Sequence, residues 1–133
     1  MLEVIRHVCD TIFQQLGQGH SEAVYQKALI LELYNMGATS VESEKHVPVF
    51  FVDIKKIQHT IGDERIDILA RFNETIILIE LKAVTSINHA NIEQQVLKYR
   101  RSLKALNINP TFSFAINFPQ HLEKQQVQFL TFD

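Results

Sequence analysis

The run 76–81 (IILIEL) is apolar at every position but one, and the exception is Glu80. Such a run predicts a strand buried in a core. A buried charge is costly unless it is paired or metal-bound. Lys82 closes the run two positions further on, so it lies on the same face of the strand as Glu80. Any fold for this chain must bury the strand and still give an acid and a base a reason to sit in it.

The flanking sequence supplies the rest of a core. Leu2, Ile5, Cys9, Ile12, Phe13 and Leu16 recur at helical spacing and predict a first helix ending near Gly17 and Gly19. A second helix is predicted over 21–36, with Ser21 as N-cap and Gly37 as its stop. The period then changes. Residues 45–52 and 54–61 read as strands joined near Asp53, and 64–72 and 75–82 as two more, joined by Asn73-Glu74 as a tight hairpin. A long helix over 88–107, a strand at 111–118 and an extended piece at 127–132 complete the chain. The order α-α-β-β-β-β-α-β-β predicts an α/β fold, a mixed β-sheet flanked by helices. With 133 residues, no repeats and no linker-like stretch, a single domain over 1–133 is expected.

Charge and cysteine content narrow the setting. The net charge is −2 and the pI near 6.3, so no global basic field advertises a polyanion. Cys9 is the only cysteine, which rules out an internal disulfide and a multi-cysteine zinc site and suits a reducing compartment. The opening MLEVIRHV interrupts any signal-peptide apolar region, and no apolar run approaches the roughly 20 residues that cross a bilayer. A soluble, intracellular protein without membrane contact is the expectation.

If Asn73 and Glu74 are the hairpin loop, Asp67 lies opposite Glu80 and Arg65 opposite Lys82. Directly facing Cβ atoms stand ~4.5–5.5 Å apart, and like charges so placed repel. Two carboxylates in that position, beside apolar residues, call for a cation between them. A hard divalent ion, typically Mg²⁺, suits them, and metal-assisted hydrolysis is the chemistry it would support. A lysine on the same face can orient the attacking water or stabilise the transition state. The same residues serve equally well as a cross-strand salt-bridge lattice at the end of a sheet, and the spacing of Asp67, Glu80 and Lys82 alone is a loose pattern.

Three further features bear on the choice. Glu22, Tyr25, Leu29, Leu33 and Met36 share one helical stripe, which turns Glu22 toward the core side; the helix dipole also favours an acid there. On the third helix the stripe is Ile92, Val96, Tyr99, Leu103 and Leu106. Gln95 lies ~60° from its centre and Gln94 ~160° away, so Gln95 borders a site or caps the core margin. Lys98, Arg100, Arg101 and Lys104 form the one dense basic cluster, able to grip phosphates or simply to be the wet face of a helix.

Six stretches now align with a known pattern. GHSEAVY at 19–25 resembles the signature of the GxxExxY family within the PD-(D/E)xK nuclease superfamily. The helix ending in LEL (31–33), RID at 65–67, IELKAV at 79–84, QVLKY at 95–99 and AINF at 115–118 follow in that family's order. The likeness spans about 16–118. It implies a restriction-endonuclease-like fold with Asp67 and Glu80 as metal ligands and Lys82 as the catalytic base or water-orienting lysine. It further implies Glu22 as an additional acid, binding metal directly or through water, and Gln95 as the polar helix residue at the site. Mg²⁺ would be the cofactor, with Mn²⁺ able to substitute. Nucleic acid, most readily DNA, would be the partner, with Lys98, Arg101 and Tyr99 in contact with it. IKKIQHTI at 54–61 departs from the short glycine-containing turn usual in the family.

Two functions of different class follow. One is Mg²⁺-dependent phosphodiester hydrolysis of nucleic acid. The other is a catalytically silent nuclease-fold module for binding or assembly. The intact set of Glu22, Asp67, Glu80, Lys82 and Gln95 favours the first. The net charge of −2 favours the second, or weak and tethered nucleic-acid contact aided by a homo-oligomer or a larger complex.

Overall fold

A computed structural model describes residues 1–120 and 126–132. The elements run α1 (Leu2–Leu16), α2 (Glu22–Asn35), β1 (Ser40–Val52), β2 (Gln58–Phe72), β3 (Thr75–Lys82), α3 (His89–Lys104), β4 (Phe112–Asn117) and β5 (Gln128–Phe132). The five strands form one sheet in the order β1-β2-β3-β4-β5. β1, β2 and β3 are antiparallel, α3 carries the chain over to a parallel β4, and β5 returns antiparallel.

The sheet is mixed and flanked by helices as expected, but it has one strand fewer before α3. Residues 54–61 and 64–72 do not form separate strands. The turn closes at 53–57, where Asp53 Oδ1 accepts the Lys55 and Ile57 N–H groups at 2.8 and 3.0 Å and Lys56 takes left-handed backbone. β2 then continues through Gly62, which pairs with Val49, and a bulge between Val49 and Phe50 absorbs the extra residue. A glycine inside an extended run marked that irregularity and not a strand end.

Residue alternation divides the core between the two faces of the sheet. Ile77, Ile79 and Leu81 turn to one side, against Ile5, Cys9 and Ile12 of α1 and Tyr25, Leu29 and Leu33 of α2. Leu78 turns to the other, against Ile92, Val96, Tyr99 and Leu103 of α3. Burying each such side chain contributes about 1.5–3 kcal/mol. Glu80 shares the parity of Leu78, so its side chain enters the layer beneath α3.

The start of α2 is pinned separately. The Tyr25 ring stacks on Phe118 with centroids 4.5 Å apart and planes within 3°. Its hydroxyl donates to the Gly17 carbonyl at 2.7 Å, across a turn that Gly17 enters at φ 70°. The Gln120 amide reaches the same hydroxyl at 3.1 Å. These contacts fix where the first residue of α2, Glu22, can reach.

Candidate active site

The β2–β3 ladder runs from Phe72↔Thr75 to Ile68↔Ile79 in the predicted register, and there it stops. Beyond it the strands part at Asp67. The Asp67 carboxylate, through Oδ2, accepts the Leu81 N–H at 2.8 Å, and its backbone carbonyl accepts from Gln26 Nε2 of α2 at 2.8 Å. On the other edge of β2, pairing with β1 passes from Ser43↔Ile68 to Lys45↔Ile66, with Glu44 between them at φ 55°. Side chain thus replaces backbone as the link between β2 and β3, and Asp67 sits beside Glu80 at the split.

The expected facing of Arg65 and Lys82 does not occur. Arg65 pairs across to His46 on β1 and forms an ion pair with Glu44 at 2.9 Å. Lys82 pairs with Asn117 on β4. The cause is the same split, because past Ile68 the two strands no longer share a register.

Glu80 is 3% exposed, and its Oε2 is buried with no hydrogen-bond partner. Burial, and then the adjacent Asp67 carboxylate, push its pKa up to about 9, while Lys82 and the Tyr99 hydroxyl pull the other way. The Lys82 ammonium lies 3.8 Å from Glu80 Oε1 and is half-buried. The Tyr99 hydroxyl lies against Glu80 and accepts from Gln95 Nε2 at 2.7 Å. Burial, followed by the charge of Glu80, holds the Tyr99 phenol above its ordinary range, so it keeps its proton.

Glu22 and Asp67 line a cleft of about 310 Å³ together with Ser21, Gln26, Glu44 and Arg65. Glu22 is exposed within it, not turned away from solvent as its stripe suggested. Its carboxyl is raised first by burial and then by Asp67, with Lys82 and Arg65 opposing. The Asp67 carboxylate therefore raises both neighbouring acids.

That arrangement fits a cation. Two oxygen donors, one of them a buried oxygen lacking any partner, suit a hard divalent ion that keeps several waters. It does not suit a cage built from protein alone. Among the described residues, no group of three His, Cys, Asp or Glu side chains is disposed to hold a metal ion. Glu22 shares the cleft with Asp67, and neither Glu80 nor Lys82 is among the residues that line it.

On α3, Gln95 is half-buried and Gln94 exposed, as helical phase dictates. Both line an open groove of about 610 Å³ with Lys98 and Arg101. Lys98 is engaged with Glu64 of β2 at 3.3 Å, and Arg101 is exposed. Tyr99, expected against nucleic acid, is 4% exposed. Its ring belongs to the core stripe beside Val96 and Leu103, so its hydroxyl supports Glu80 instead of its face meeting a base.

Two participants escaped the sequence reading. Gln26 follows Tyr25 and lies four residues after Glu22, hence on the same helix face, and that spacing was a usable signal. Glu44 carried none, because its role depends on a left-handed kink in an extended strand.

The architecture is a restriction-endonuclease-like α/β fold with its acids at the split of a mixed sheet. Residues 1–129 match the PD-(D/E)XK nuclease superfamily, and the chain belongs to it. Membership points to phosphodiester hydrolysis of nucleic acid and to divalent-metal chemistry. A search of the curated proteins finds no match. Among the described residues, no helix is long and apolar enough to cross a membrane.

Proposed function

We propose that this chain is an active, Mg²⁺-dependent nuclease of the GxxExxY kind, a single domain that hydrolyses DNA, with Mn²⁺ able to replace Mg²⁺. The observation that carries this reading is the buried, unpartnered Oε2 of Glu80 beside Asp67, with the Lys82 ammonium 3.8 Å from the other Glu80 oxygen. A salt-bridge lattice would leave no such oxygen, since its purpose is mutual satisfaction. GHSEAVY supports the narrower kinship, because Tyr25 anchors α2 and Glu22 lines one cleft with Asp67. The buried, unpaired Cys9 accords with a reducing, intracellular setting.

Asp67 and Glu80 would hold the ion, and Glu22 would reach it through water. When bound, the ion neutralises charge on the phosphoryl oxygen and makes its water more acidic. Lys82 acts from the same strand face: its ammonium orients the attacking water or meets charge that grows on the phosphate. Tyr99 and Gln95 hold Glu80 in place, as outer partners of a ligand do. The groove along α3 offers Lys98 and Arg101 to the backbone of the polymer.

The test is an assay on labelled single- and double-stranded DNA and RNA with Mg²⁺ and with Mn²⁺, run beside Glu80→Ala. Cleavage of DNA by the wild type and none by the variant is expected. Absence of metal-dependent cleavage on all substrates would favour a silent binding or assembly module.

A further inference from the structure

The cleft that holds Asp67 and Glu22 contains one cation that the site as described does not use. Arg65 lines it, two residues before Asp67 on β2. Its guanidinium contacts Glu44 Oε2 at 2.9 Å, and both side chains are about half-exposed, 58% and 47%. An exposed pair of this kind contributes little to stability. Yet Glu44 is presented from left-handed backbone at φ 55°, a conformation that costs a non-glycine residue energy and is uncommon for glutamate. A residue in left-handed backbone thus holds a weak ion pair on the lining of an acidic cleft.

We propose that Arg65 is a receptor for a substrate phosphate, and that Glu44 holds it in the free protein until the polymer arrives. The inference rests on the nuclease reading above and deepens it. Three carboxylates, Glu22, Glu44 and Asp67, face this cleft, so an approaching phosphodiester meets repulsion that a bound cation offsets only locally. A phosphate beside the scissile one needs its own counter-charge. The guanidinium fork matches phosphate oxygens in a bidentate way, and its place on β2 keeps it in step with Asp67. Exchange of Glu44 for phosphate moves one exposed ion pair to another and creates no buried charge. Glu44 would compete with every anion, so a single weakly bound anion is refused and a polymer held at several points is accepted.

The two partners therefore have opposite effects on substrate, which no structural role predicts. Cleavage of a labelled DNA oligonucleotide in Mg²⁺, followed over a range of protein concentrations and salt, separates half-saturation from plateau rate. Arg65→Ala is expected to raise the half-saturating concentration about 10–100-fold and to lower the salt slope by about one. Arg65→Lys should recover part of the loss. Glu44→Gln should lower the half-saturating concentration several-fold, with denaturation midpoints confirming that each variant is folded. Equal weakening by Arg65→Ala and Glu44→Gln would make the pair structural and overturn the proposal, as would an unchanged Arg65→Ala. Absence of cleavage by the wild type would overturn the nuclease reading and this inference with it.

Discussion

Asp67 Oδ2 accepts the Leu81 N–H at 2.8 Å, closing with a side chain the gap where the β2–β3 ladder has ended. One carboxylate thus serves the strand edge and the proposed cation together, and substitution can separate the duties. Asp67→Asn keeps an acceptor for Leu81 and removes the charge. Its stability should stay within about 1 kcal/mol of wild type while Mn²⁺ affinity falls. Asp67→Ala orphans a buried N–H and should cost a further 1–3 kcal/mol or so. Urea denaturation and Mn²⁺ calorimetry of both variants check this. Equal stability of the two would mean the Leu81 bond contributes nothing.

The Glu80 carboxyl, pushed up to about 9, gives the metal-free protein a defined pH response. Its ordinary value is 4.5, so between the two the folded state retains a proton that the unfolded state has lost. The associated stability is fully present below about pH 4.5 and declines as pH rises toward 9. Glu80→Gln keeps the shape and cannot ionise, so it should lack this decline and be about 1–3 kcal/mol more stable than wild type at pH 8. A divalent cation should restabilise the wild type and not the variant. Urea midpoints of chelator-treated protein from pH 5 to 9 provide the comparison, and parallel slopes would contradict it.

Gln95 and Tyr99 should act as one unit on Glu80. Tyr99→Phe leaves the ring in the core and removes the hydroxyl, so stability should change by no more than about 1 kcal/mol while cleavage falls about 10–100-fold. Gln95→Ala should fall in the same range. Because Gln95 works through the Tyr99 hydroxyl at 2.7 Å, the double variant should be little worse than Tyr99→Phe. Fully additive losses in single-turnover rates would break the link.

Cys9 is held inert by its surroundings. Burial, with a smaller contribution from Asp10, pushes the thiol up to about 12. Native protein at pH 8 should resist iodoacetamide and become fully alkylated in urea, as read by mass spectrometry. Rapid native labelling would mean that α1 opens readily from the sheet.

Much of this was legible in the chain because burial periodicity is a local signal. The stripes through Tyr25, Leu29 and Leu33 and through Ile92, Val96 and Leu103 identified both helix faces, and the Asn73-Glu74 hairpin fixed the register as far as Ile68↔Ile79. The half-burial of Gln95 against the exposure of Gln94 followed from phase alone. What could not be read was every feature where two strands depart from regular pairing. The split at Asp67, the kink at Glu44 and the bulge at Val49 each depend on a partner distant in sequence. Tyr99 was misassigned although its own stripe, with Ile92, Val96 and Leu103, already placed the ring in the core; what the chain did not reveal was that its hydroxyl lies against Glu80.

If Asp67, Glu80 and Lys82 form a working metal-dependent cleavage site, Lys82→Ala should separate metal binding from turnover. Loss of the ammonium 3.8 Å from Glu80 leaves both carboxylates in place. Mn²⁺ affinity should therefore persist or rise. Single-turnover cleavage of DNA should fall by about 10²–10³, because the lost interaction matters mainly in the transition state. Retained cleavage by Lys82→Ala, or loss of Mn²⁺ binding along with activity, would mean that these three residues do not form such a site.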